Sequence, residues 1–113
     1  MTYQEKYKEI TDAVRRKVEE ILPSGARVVL YGSRARGDFQ PESDWDFHIL
    51  IPGESQLSFE EIDKYVFPLD MIGWDFGEAI STSVFTCGEW ERRKNHPFYE
   101  NVERDKIAIL NKI

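Results

Sequence analysis

The sequence predicts a small α/β (α+β) domain, a mixed β-sheet flanked by helices. Apolar residues recur at helical spacing over residues 3–22 and again after residue 58. Short β-prone runs stand between and after them: Val28–Tyr31, Trp45–Ile51 and Ile80–Thr86. The resulting order, α-β-loop-β-α-β-α, is that of a sheet covered by helices. At 113 residues, a single domain spanning 1–113 is expected.

Tyr3, Tyr7, Ile10, Val14, Val18, Ile21 and Leu22 form one stripe of the first helix. Thr2 and Glu5 make a capping box at its start, and Pro23-Ser24-Gly25 stops it. Val28–Tyr31 reads as a buried strand ending at Gly32. Residues 32–43, rich in Gly, Ser, Asp and Pro, read as loop with one helical turn after Ser33. Trp45–Ile51 is the second strand, closed by Pro52-Gly53. Ser58 and Glu61 cap a second long helix, whose stripe is Ile62, Tyr65, Val66, Leu69, Ile72 and Phe76. Pro68 lies inside it, so a kink or a split is expected there. Ile80–Thr86 is the third strand, joined to the second by a helix and therefore parallel to it with a right-handed crossover. Glu89–Asp105 reads as helix interrupted before Pro97. Ile107–Leu110 is either a last strand or an apolar stripe on the core.

Composition narrows the function. A formal net charge of −6 argues against a general nucleic-acid-binding surface, which would be basic. The single cysteine, Cys87, rules out an internal disulfide and fits a reducing compartment; an inert, partly buried thiol is expected. No basic segment followed by an apolar run opens the chain, and no window approaches 18 consecutive apolar residues. The expected location is cytoplasmic, with no membrane contact.

The chemistry concentrates in Tyr31-Gly-Ser-Arg-Ala-Arg-Gly-Asp38 and Asp44-Trp-Asp46. Gly32 at a strand end lets backbone N–H groups approach a ligand closely, and Ser33 adds a hydroxyl. Exposed amides at such a turn attract anions. Arg34 and Arg36 supply charge-assisted bonds for phosphate oxygens. Alternate strand residues face one way, so Asp44 and Asp46 present two carboxylates on one face, about 7 Å apart along the chain. That spacing suits one or two Mg²⁺ ions bridging to a triphosphate. His48 and Leu50 continue this face; Trp45, Phe47, Ile49 and Ile51 form the core face. The glycine-serine turn and the acids meet only if the first two strands run antiparallel, which their short connection allows. Taken singly, Gly32-Ser33 is an ordinary turn and Asp44-x-Asp46 a solvated strand edge. Their combination, each behind its own strand, carries the reading. Arg36-Gly37-Asp38 matches a cell-adhesion tripeptide by coincidence.

Gly32-Ser33-Arg-Ala35-Arg36-Gly37 followed by Ser43-Asp44-Trp-Asp46 resembles the signature of the minimal nucleotidyltransferases of the polymerase-β-like superfamily. The resemblance implies the small nucleotidyltransferase fold, with Gly32 and Ser33 contacting NTP phosphates and Asp44 and Asp46 coordinating Mg²⁺. It implies transfer of a nucleoside monophosphate from an NTP, with ATP as the expected substrate, to a hydroxyl of a protein or small molecule. It also implies a helical toxin-like protein partner, with the small transferase as antitoxin. The family usually carries a third carboxylate on the third strand. Here that segment reads Glu78-Ala-Ile-Ser-Thr-Ser-Val84. Glu78 is the nearby acid, in opposite phase to Ser81 and Ser83, and the general-base position stays open between Glu78 and no residue. The alternative function is therefore a catalytically weakened NTP- and Mg²⁺-binding regulatory or interaction protein. His48 reads as a hydrogen-bonded structural histidine, and Arg92-Arg93-Lys94 as a solvated helix face.

Overall fold

The computed structural model describes all residues, 1–113. α1 (Tyr3–Ile21) opens on the expected capping box: the Thr2 hydroxyl accepts from the Glu5 amide, and the Glu5 carboxylate accepts from the Thr2 amide, both at 3.1 Å. β1 (Arg27–Tyr31) leads into a single helical turn, α2 (Ser33–Arg36), and the chain returns along β2 (Trp45–Ile51). α3 (Phe59–Phe76) is capped by Ser58 and Glu61 at one end and by Gly77, in the left-handed region at φ +67°, at the other. Pro68 does not split it. Caps at both ends and a buried stripe of Tyr65, Leu69 and Gly73 hold the helix through the one backbone bond a proline cannot make. β3 (Ile80–Thr86), α4 (Cys87–Glu91), α5 (Pro97–Asp105) and β4 (Ile107–Asn111) complete the chain.

The sheet order is β3-β2-β1-β4. β1 pairs antiparallel with β2, as the meeting of glycine turn and acids demanded, and β2 pairs parallel with β3 across the α3 crossover. Ile107–Asn111 resolves as a strand, antiparallel to β1 on its free side. β3 and β4 are thus the two margins of the sheet.

Alternation along the strands separates two apolar layers. On one face Val28, Leu30, Trp45, Phe47, Ile49 and Val84 pack against Ile10, Val14 and Val18 of α1 and Tyr65 and Leu69 of α3. Full burial of each large side chain there contributes about 1.5–3 kcal/mol. On the other face a smaller cluster joins Leu50 to Trp90 of α4 and Val102 of α5, with Val29, Tyr31, Phe85 and Phe98 around it. The acid-bearing face of β2 is therefore covered over most of its length and opens only where Asp46 stands.

Candidate active site

β1 and β2 are in register so that Tyr31, the last residue of β1, lies opposite Asp46. The chain then turns at Gly32, φ +76°, which caps α2. A Cβ at this position would overlap Oδ2 of Asp46. Both the left-handed backbone and the close carboxylate thus require glycine, and together they set the backbone of the turn directly against the acid. The Ala35 and Arg36 amides bond the Gly32 carbonyl, each at 3.0 Å, and Gly37, φ +93°, closes the turn onto the Ser33 carbonyl at 2.8 Å. The first amides of such a turn have no intrahelical acceptor and remain for a ligand.

Asp44 is exposed and Asp46 half-buried. Burial first, and then the charge of Asp44, push the Asp46 carboxyl up to about 6, with Arg36 opposing. The charge of Asp44 thus bears on Asp46, and the hard oxygen donors of these two carboxylates could hold a cation such as Mg²⁺. No third histidine, cysteine or carboxylate joins them.

The two arginines of the motif part company. Arg36 stays on the site side, where its charge bears on Asp46. Its guanidinium is tethered at 2.7 Å to Asp105 of α5 and at 3.1 Å to Asp38. Arg34 turns inward and is buried. It donates to the carbonyls of Ser43 (3.0 Å) and Pro41 (3.2 Å), and it lies 4.6 Å from the ring centroids of both Trp45 and Phe39. The expectation that Arg34 binds phosphate is thereby corrected: its donors brace the loop that carries Asp44.

Glu78 is corrected too. Its Oε1 accepts from the Trp45 indole at 2.9 Å, with Arg34 at 3.4 Å and Lys6 near Oε2 at 3.5 Å. Trp45 belongs to the α1/α3 face, so Glu78 sits across the sheet from Asp46. Ser81 is the β3 residue in register with Asp46, and Ser83 pairs with His48 and bonds its Nδ1. The strand that would supply a third acid supplies hydroxyls. His48 is 2% exposed, is ringed by Trp90 at 4.1 Å and by Phe85, Phe98 and Tyr31 at 5.4–6.3 Å, and is structural, as expected.

Two residues of the site escaped sequence reasoning. Tyr31 places its phenol on the Asp46 face, where burial raises its pKa; the antiparallel register would have pointed to it. Asp105, which anchors Arg36 from 69 positions away, left no local signal.

The sequence profile described as "Nucleotidyltransferase domain" matches residues 8–109. The chain belongs to the nucleotidyltransferase domain family. Among curated relatives, the bifunctional uridylyltransferase/uridylyl-removing enzyme of Burkholderia pseudomallei strain K96243 is 31% identical over 87 residues, 75% of this chain and 10% of that protein. The Burkholderia thailandensis enzyme of the same name is 32% identical over 80 residues, covering 69% of this chain and 9% of its own length. The chain thus spans about a tenth of the length of these relatives. Two solved structures share the fold. A toxin–antitoxin structure with AMP-PNP superposes with a TM-score of 0.64 at 12% identity, over 89% of this chain and 73% of that one. A candidate nucleotidyltransferase from Sulfolobus solfataricus superposes with a TM-score of 0.59 at 20% identity, over 92% and 79%. The family resemblance and the mixed-sheet fold expected from the motif are both shown. No helix is long and apolar enough to cross a membrane.

Proposed function

We propose that this nucleotidyltransferase domain transfers a nucleoside monophosphate from an NTP, ATP first among candidates, to a hydroxyl of a protein or small-molecule acceptor. The observation that supports the reading is the close approach of Gly32 to Asp46, which sets the phosphate-type turn against one acid of the pair. Asp44 and Asp46 would hold Mg²⁺, which when bound would neutralise phosphate charge and polarise the α-phosphorus. The turn amides at Ser33 and Arg34 would receive phosphate oxygens, and Arg36, fixed by Asp105, would add positive charge beside them. The acceptor oxygen bonds the α-phosphorus and gives up its proton to solvent as the bond to the bridging oxygen breaks and pyrophosphate leaves. In the same reading the acceptor lies on a helical toxin-like partner, this chain being the antitoxin half. The structural neighbour crystallised as a toxin–antitoxin with AMP-PNP supports that choice.

The test is transfer of label from α-labelled NTPs to co-purified or co-expressed partners, with Asp46→Asn as the control. Label on an acceptor, lost in the variant, is expected. Intact Mg²⁺-ATP binding with no label and no pyrophosphate release would remove the catalytic reading. It would establish instead a nucleotide-binding regulator, a second reading favoured by one observation: Ser81 stands in register with Asp46, and Glu78 lies across the sheet.

A further inference from the structure

Four of the seven large apolar side chains that the molecule exposes lie on one helix, α3: Phe59, Phe67, Met71 and Trp74. Phe59 is 93% and Trp74 68% exposed. At about 100° per residue these four fall within an arc of about 120°, on the side away from the buried stripe of Tyr65, Leu69 and Gly73. Phe67 and Trp74 already meet edge to face, with ring centroids 6.4 Å apart. Surface hollows of about 400 and 440 Å³ flank the two ends of the stripe, one beside Phe59, Ile62 and Val66, the other beside Trp74, Ala79 and Ile80. Four large apolar side chains exposed along one face of one helix mark an interaction site rather than ordinary scatter.

Charge selects the occupant. Glu60, Asp63 and Asp70 lie in the same arc as the four apolar residues, and across the whole helix five acids face a single lysine, Lys64, at the margin of the arc. Self-association through this face would press acids against acids in a molecule of net charge −6. A cationic apolar surface would instead pair each feature. We infer that the outer face of α3 is the docking surface for a partner protein that presents a cationic amphipathic helix. Its large side chains fill the space between Phe59 and Trp74, and its lysines or arginines meet Glu60, Asp63 and Asp70. The surface ends beside Glu78 and Ile80 at the margin strand β3, on the face of the sheet opposite Asp46. The docking does not depend on the nucleotide reading.

The experiment titrates the full chain with an 18-residue leucine/lysine amphipathic peptide and, separately, with a leucine/glutamate peptide of the same apolar pattern. Trp45 and Trp90 are buried, so the emission of exposed Trp74 reports occupancy. A saturable blue shift with the lysine peptide alone is expected. The double variant Phe67→Ser/Met71→Ser, which keeps every charge, should weaken it at least 10-fold. Glu60→Lys/Asp63→Lys, at exposed positions that cannot affect folding through packing, should transfer preference to the glutamate peptide. Mg²⁺-ATP binding should be unchanged in both variants, which separates failure here from failure of the site. Binding indifferent to Phe67 and Met71, equal binding of the two peptides, or no saturable binding would overturn the inference. So would sedimentation showing self-association abolished by Phe67→Ser/Met71→Ser.

Discussion

The position of Asp46 costs the fold free energy. Half-buried beside Asp44 and pressed against Gly32, its carboxyl is pushed up to about 6. Asp46→Asn should therefore raise stability without metal, by about 1 kcal/mol once solvent screening is allowed for, while removing Mg²⁺-dependent ATP binding. Urea midpoints with and without Mg²⁺-ATP check both. Glu78 presents the opposite case. Glu78→Ala would leave the buried Trp45 indole N–H and the Arg34 guanidinium short of an acceptor, at a cost of roughly 1–3 kcal/mol. Nucleotide affinity should be retained, and a binding titration alongside the melt distinguishes the two roles. The acids and the glycine were legible in the sequence because strand alternation and a hairpin register are local rules. The reversal of Arg34 was not. Whether a motif arginine faces ligand or core depends on Tyr3, Phe39 and Trp45, aromatic partners brought together only by the fold.

At the scale of elements, periodicity carried most of the fold: both long helices and the first three strands lie where the sequence put them, the open choice at Ile107–Leu110 resolves as β4, and the helical reading of Glu89–Asp105 divides into α4 and α5. The exceptions are junctions. Pro68 invited a break that capping and burial override. The abrupt β3-to-α4 turn rests on a third capping box, in which the Thr86 hydroxyl accepts from the Glu89 amide at 3.2 Å. It went unread because no apolar run follows it. Thr86 is buried, so Thr86→Ala should destabilise by about 1–2 kcal/mol. The loss should register first as faster amide exchange in α4, whose Trp90 roofs His48.

In the molecule as a whole, the C-terminal part of the sequence is tied to the site. Asp105 on α5 binds Arg104 and Arg36, and these hold its carboxyl below the usual range, the Arg104 hydrogen bond contributing most. A depressed folded-state pKa gives stability that is present above the unfolded value of about 3.9 and is lost as pH falls through the folded one. Asp105→Asn should flatten that acid limb of a melting-temperature profile and leave the limb above pH 5 parallel to wild type. No sequence rule links positions 36 and 105, which is why the tether surfaced only in three dimensions. The margin of the sheet has a different consequence. The seven residues of β3 contain no lysine, arginine, acid or proline, the gatekeepers that keep border strands from templating one another. Partial unfolding at high concentration should accordingly seed cross-chain amyloid pairing from this segment, visible as thioflavin fluorescence, before any other part of the chain aggregates.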